Sequence, residues 1–331
     1  MRSENQENLS LDYQSMMYEG VVYPPFIKAE ALNELREKHT LRSSDIVIAT
    51  FPKCGTTWMQ QIVLTLLADG DGSKVRQPMG MSPWLEAWVS NQGLAAFEAW
   101  HPEQTGWNGL ENSCDLAPGW CPSRRVLKTH APAQLAPWVG GTERDGMNGA
   151  RVIVVTRNPK DAAVSHYHHT IDLPHIFKYN GCWDYFLRKI WIPGKVESGS
   201  FWEWHQSWWQ VCQGGSVDLL WISYEELLSE PEKSISRVAK FIGLEPTTEL
   251  TKGVLTASNF QAMKQTAAEE DDKLVAIGKA DQVKRNHIRE GKSGSWTEAF
   301  TAPQNELMDR YHMGECSRLS LPPKLFPQMR L

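Results

Sequence analysis

DIVIATFPKCGTTWMQQIVLTLL, residues 45–67, is the stretch on which the fold turns. Asp45 to Phe51 is a short apolar run rich in β-branched residues, bounded by polar and proline signals, and it predicts a buried strand. Trp58 to Leu67 is apolar at helical spacing. Between them, Pro52 to Thr57 must make a tight turn. A turn from strand to helix aims unpaired backbone N–H groups at one point, where the helix dipole favours an anion. Gly55 lets the backbone come close, Lys53 adds a mobile positive charge, and Thr56 and Thr57 add hydroxyl donors. The turn is not a Walker A loop, because Lys53 precedes Gly55 and GxxxxGK[ST] is absent. On these residues alone, an anion cradle and a solvated turn with a surface lysine both stand.

Three further short runs share the strand pattern: 125–129, 151–156 and 217–222. A helix is expected from about residue 160 to 169, and another over 232–242, closed by Gly243 as a C-cap. Strands alternating with helices imply an α/β fold, a single domain with a central parallel sheet flanked by helices. Ligands of such sheets sit at the carboxyl ends of the strands, so the polar residues ending these four strands are candidates for one site. Residues 1–22 read as a flexible lead-in to a domain over 23–331, with 21–26 extended through its prolines. Residues 70–123 lack clean periodicity, and a segment of that length is usually functional. The stretch FWEWHQSWW, residues 201–209, predicts a buried amphipathic helix whose tryptophans belong to the core.

At 331 residues the chain is long enough for one large α/β domain. Hydrophobic residues make up 41% and charged residues 22%, which excludes a disordered chain. A net charge of −5 argues against a nucleic-acid coat but leaves room for a local basic pocket. None of the six cysteines forms a CxxC pair or metal-ligand spacing, so reduced thiols are expected, with Cys114 and Cys121 close enough in sequence to bridge. No apolar stretch is long enough to span a bilayer, and MRSENQENLSLDYQS lacks the pattern of an export signal. A cytoplasmic protein without membrane or nucleic-acid partners is the expectation.

The turn FPKCGTTW, residues 51–58, closely resembles the phosphosulfate loop of the cytosolic sulfotransferase family, usually YPKSGTTW. In the family's order follow KTHAP at 128–132 for KTHLP, RNPKDAAVS at 157–165 for RNxKDxxVS, and SYEE at 223–226 for YED. Ser258, Phe260, Met263 and Lys264 resemble TSFxxMK, and IREG at 288–291 with GSW at 294–296 resembles RKG…GDW. The resemblance implies transfer of a sulfuryl group from 3′-phosphoadenosine 5′-phosphosulfate (PAPS) to a hydroxyl or amine, leaving adenosine 3′,5′-bisphosphate (PAP), without a metal. It implies that Lys53, Cys54, Gly55, Thr56 and Thr57 cradle the 5′-phosphosulfate. Arg157, Ser165, Arg289, Glu290 and Gly291 would stand at the 3′-phosphate, and Trp58, Tyr224, Ser258 and Phe260 at the adenine. His130 would take the acceptor's proton, Lys53 would neutralise the leaving oxygen, and Lys128 would be a second stabiliser.

Cys54 replaces the usual Ser, which predicts a thiol open to alkylation or oxidation. Glu290 stands where Lys is usual and removes a positive charge near the 3′-phosphate; Ser295 replaces an Asp. The family's dimer motif, expected between about residues 264 and 285, is not found, so a homodimer of that kind is not expected. His166, His168 and His169 are better read as helix residues than as a metal site. The acceptor, a small molecule, is expected to meet Trp84, Glu86 and Trp88 and the region around Trp107. Aromatic walls with a carboxylate suit a flat or cationic acceptor such as an alkaloid, with a phenol or alcohol the alternative. The rival readings are a nucleotide-dependent phosphotransferase, which lacks its Walker A loop here, and a nucleotide-binding relative that has lost activity.

Overall fold

All four strands expected from the sequence join one parallel sheet. The structure is a computed structural model, which describes residues 13–75, 78–98, 122–215, 217–276 and 288–326, without the side chains of 270 and 273–276. Met16–Tyr18 (β1) and Val21–Tyr23 (β2) pair antiparallel as a hairpin. Ile46–Thr50 (β3), Val126–Thr129 (β4), Arg151–Thr156 (β5) and Leu219–Ser223 (β6) form the sheet in the order β4-β3-β5-β6. Val47 stands opposite Leu127 on one side and Val152 on the other, and Val152 opposite Leu219.

Side-chain alternation sets this register. Val47, Ala49, Leu127, Val152 and Val154 face a core shared with Trp202, Trp204 and Trp208. Ile46, Ile48, Val126, Ile153 and Val155 face the opposite core with Met59, Ile62, Val63 and Leu66. A slip of one residue would exchange the two faces. Each such aliphatic side chain contributes about 1.5–3 kcal/mol by leaving water, so the register is strongly held. The helix Thr56–Leu67 follows β3, Pro159–Asp172 follows β5, and Tyr224–Ser229 follows β6. Each therefore begins at the carboxyl edge of the sheet. The tryptophan helix runs Phe201–Gly214, with Ser200 Oγ accepting from the Glu203 N–H as its N-cap. Pro231–Phe241 ends at Gly243, where the Leu244 N–H reaches the Ala239 carbonyl at 2.9 Å.

Two expectations are corrected. Residues 13–22 are not a flexible lead-in: β1 and β2 lie there, Tyr18 and Val22 are buried, and the Gln14 N–H donates to the Phe177 carbonyl. Alternation over so few residues is too short to read as a hairpin. The described part of 70–123 is largely helical, with Pro78–Met81, Leu85–Gln92 and Leu94–Glu98. Pro83 and Gly93 interrupt these turns and hide their periodicity. Trp107, Cys114 and Cys121 lie outside the described residues, as does much of the stretch in which the dimer motif was sought. Among the described residues no helix is long and apolar enough to cross a membrane.

Candidate active site

The turn after β3 is bent by two left-handed residues, Lys53 at φ 70° and Gly55 at φ 104°. For lysine that conformation costs about 1–3 kcal/mol, and strain of this kind concentrates at working sites. Gly55 is required twice: a side chain there would be strained, and its Cβ would stand 2.8 Å from Tyr224 Cδ2. The helix Thr56–Leu67 has no acidic residue in its first turn, so no carboxylate there competes with an anion for its dipole.

His130 follows β4, and its Nδ1 lies 2.7 Å from the Thr50 carbonyl and 3.2 Å from the Thr50 hydroxyl. A carbonyl only accepts, so Nδ1 carries the proton and Nε2 the lone pair. Burial holds this imidazole well below its ordinary pKa, and the Lys128 charge adds to the effect. The ring is therefore neutral at pH 7.

Two elements brace the turn that carries it. Glu86 Oε1 accepts from the Thr129 hydroxyl at 2.7 Å and from the His130 and Ala131 N–H groups at 3.2 Å. From the tryptophan helix, Trp204 Nε1 donates to the His130 carbonyl at 2.9 Å and Trp208 Nε1 to the Ala131 carbonyl at 3.1 Å. Lys128 pairs its N–H with the Pro83 carbonyl, which sets Trp84 alongside: Lys128 Nζ is 4.8 Å from the Trp84 ring and the His130 ring is 5.0 Å from it.

Arg157 follows β5 and ties two segments together, donating from Nη1 to the Lys53 carbonyl and from Nη2 to the Lys292 carbonyl, each at 3.1 Å. Its guanidinium lies 4.4 Å from the Tyr224 ring centroid, and its Nε is buried with no partner among the described residues. Glu225 accepts from the Asn158 N–H at 2.9 Å and so fixes the start of the next helix, while burial pushes its carboxyl up to about 7. Asp161 holds the facing loop through the Gly294 and Trp296 N–H groups at 2.7 and 3.0 Å and the Ser293 and Ser295 hydroxyls at 3.2 Å. A Cβ at Gly291 would collide with the Phe260 ring at Cδ2, so the loop can lie against that ring only with glycine there. The Trp58 and Tyr224 rings meet edge to face at 5.1 Å, and Ser258 Oγ donates to the Val254 carbonyl.

One cavity of about 750 Å³ joins these groups, lined by Lys53, Gly55, Thr56, Thr57, Trp58, Lys128, His130, Arg157, Ser165, Tyr224, Ser258, Phe260, Arg289, Glu290 and Gly291. A model of the sulfotransferase domain matches residues 43–319. The chain belongs to the sulfotransferase family. Mouse sulfotransferase 1B1 is 31% identical to it over 300 residues, spanning 90% of this chain and 91% of that protein. Bovine sulfotransferase 1A1 is 30% identical over 292 residues, 87% of this chain and 89% of that protein. Mouse sulfotransferase SULT7A1, solved with PAP, shares the fold with a TM-score of 0.66 at 22% identity, over 92% of this chain and 95% of that one. A retinol dehydratase solved with androsterone and PAP does so with a TM-score of 0.68 at 20% identity, over 92% of this chain and 89% of that one. The chain is an enzyme of sulfuryl transfer, and the family's donor is PAPS.

Elsewhere the sulfotransferase departs from what its sequence suggested. Cys54 does not line the cavity; it is buried in the core beneath the turn, and burial drives its thiol pKa upward, the opposite of the environment that makes a thiol reactive. Only its backbone belongs to the turn. Glu290 lines the cavity and pairs its carboxylate with Arg289 Nη1, with Lys292 Nζ at 3.9 Å. Of the acceptor residues expected, Trp84 lines the cavity, whereas Glu86 and Trp88 do not. Glu86 is wholly buried under the His130 turn, and Trp88 packs edge to face on Phe97 in the core. Helical geometry is the reason: Trp84 caps Leu85–Gln92 from outside, and Glu86 and Trp88 turn toward the sheet. His166 is buried with its pKa lowered to about 3, while His168 and His169 line the cavity. Among the described residues no three metal-ligating side chains come together. The sequence reading missed Pro24, Phe26, Met79, Asp172, Ile176, Phe177 and Glu197, which also line the cavity. Pro24 and Phe26 carry no motif; Asp172 lies seven residues beyond Ser165, two helical turns along the same face, and that spacing was the one usable signal.

Proposed function

We propose that the cavity binds PAPS and transfers its sulfuryl group in line to a hydroxyl or amine of a small acceptor, with His130 as the base. The carrying observation is a neutral His130, its tautomer fixed by Thr50, in one cavity with Lys128 and the strained Lys53 turn. The residues suit the donor. The turn offers N–H groups, hydroxyls and a cation to a phosphosulfate, and Arg157 and Arg289 offer guanidinium donors to a second anion. Trp58, Tyr224 and Phe260 form aromatic walls that suit a purine, with Ser258 at its edge.

PAPS supplies the electrophilic sulfur. His130 Nε2 takes the acceptor's proton as the new S–O or S–N bond forms. Lys53 balances the negative charge that gathers on the departing phosphate oxygen as the old S–O bond breaks, and Lys128 stabilises the equatorial oxygens. Sulfuryl transfer resembles phosphoryl transfer in asking mainly for positioning and electrostatics. For the acceptor, the aromatic lining suits a polar or cationic natural product, with a phenol or alcohol as the second reading.

Calorimetric titration with PAP in chelator, beside magnesium-ATP, tests the donor half. Tight PAP binding without metal and weak ATP binding are expected, followed by turnover of acceptors with labelled PAPS. Binding of magnesium-ATP alone would favour a phosphotransferase; PAP binding without any turnover would mark an inactive family member.

A further inference from the structure

We propose that Glu197 is a specificity-determining residue that receives the ammonium or guanidinium group of a cationic acceptor, an inference resting on the transfer reaction proposed above. Glu197 lies in the segment before the tryptophan helix and is only 4% exposed, yet it lines the cavity with His130, Lys128, Trp84 and Phe26. The segment is pinned in place: the Glu197 N–H donates to Tyr13 Oη at 3.3 Å, and the Ser198 N–H to the Val22 carbonyl at 2.7 Å. The segment that carries the carboxylate is thus anchored through its backbone at the wall of the cavity. Burying a carboxylate is costly, and a ligand that brings it a cationic donor relieves that cost.

Lys128 and Lys53 are the cations whose charges reach it. Both also serve the reacting centre, where the donor's phosphosulfate draws on the same positive charge. Burial raises the Glu197 carboxyl to about 7 against the pull of the two lysines, and an incoming cation would hold it ionised. Phe26 and Trp84 meet edge to face at 5.8 Å in the same wall, and aromatic faces attract cations. Asp172 and Glu290 are further carboxylates of the lining. A site whose buried polar group is completed by the ligand discriminates strongly against ligands that leave it unpaired.

Tyramine and 4-ethylphenol share a phenol and differ at the ammonium group, so their kcat/KM ratio with PAPS reads this contact. A preference of at least about tenfold for tyramine is expected in the wild type, lost in Glu197→Gln and partly kept in Glu197→Asp. PAP calorimetry on each variant verifies that the donor half is folded. The same ratio is read without turnover from binding of the two phenols to PAP-loaded protein. A tyramine preference in binding with no sulfuryl transfer would refute the proposed reaction while supporting the Glu197 contact. A wild type indifferent to the ammonium group, one that binds neither phenol, or a Glu197→Gln variant that keeps the preference would overturn the inference.

Discussion

Replacing Glu86 separates a brace from a substrate contact. Its Oε1 accepts three hydrogen bonds in the turn that carries His130, at 2.7, 3.2 and 3.2 Å. Glu86→Ala removes all three. The Ala131 N–H keeps a second acceptor, Thr129 Oγ1 at 3.0 Å, so two donors are orphaned, the Thr129 hydroxyl and the His130 N–H. At roughly 1–3 kcal/mol for each buried group left unpaired, the loss is about 2–6 kcal/mol. With an unfolding entropy near 2.1 cal/mol/K per residue, a domain of this length loses about 3–9 °C in Tm. A displacement of the imidazole by about 1 Å costs up to 10²-fold, so kcat should fall by about 10- to 100-fold. Glu86→Gln keeps an acceptor oxygen and relieves the burial that raises the carboxyl pKa, so its stability should stay within about 1 kcal/mol of wild type. Scanning calorimetry and saturation kinetics with one phenol measure both. An alanine variant as stable and active as wild type would refute the brace; a glutamine variant with unchanged Tm but altered acceptor preference would put Glu86 back in the substrate wall.

His130 stays neutral below pH 6.5, so the acid limb of kcat/KM should lie well under that value in a pH–rate profile. The unfolded chain binds a proton on this imidazole near pH 6.5 and the native protein does not, so stability is full above that pH and is lost as pH falls toward the folded pKa; urea midpoints at pH 7.5 and 5.5 measure it. His130→Ala should abolish turnover and leave PAP binding intact in calorimetry. Asp161→Asn leaves one acceptor oxygen for four donors, losing about two charge-assisted bonds, so PAP affinity should drop by tenfold or more with kcat at saturating donor little changed. Cys54 should resist iodoacetamide in native protein while exposed Cys182 reacts, as read by peptide mass spectrometry.

The part of the cavity proposed for the donor was legible as geometry, because its residues are set locally. A buried strand, a turn with glycine and a helix start carry their own pattern, and Arg157 and Tyr224 follow the ends of β5 and β6 within a residue. The acceptor half depends on which way a helix faces and which distant segments meet. Glu86 was misplaced because a carboxylate among tryptophans reads as a wall, while the structure turns it toward three donors behind β4. Glu197 was missed because nothing in its spacing marks it; tertiary packing against Tyr13 and Val22 puts it in the cavity. Cys54 was misread for the same reason, since alternate residues of a tight turn face opposite ways.

The tryptophans and the low basicity of His130 have one explanation. A carboxylate on Nδ1 would orient the ring but would also raise its pKa and favour imidazolium beside Lys53 and Lys128, where a third cation is unwelcome. A main-chain carbonyl from Thr50 fixes the same tautomer at smaller electrostatic cost. Orientation must then come from the backbone of the turn itself, and that is what Trp204, Trp208 and Glu86 bond. Indole suits the task, because its ring fills the core while its single N–H reaches a buried carbonyl. Helical spacing of four residues lets Trp204 and Trp208 reach the consecutive carbonyls of His130 and Ala131 from one face. The dense aromatic core is thus also the support that holds the uncharged His130 ring in the cavity wall.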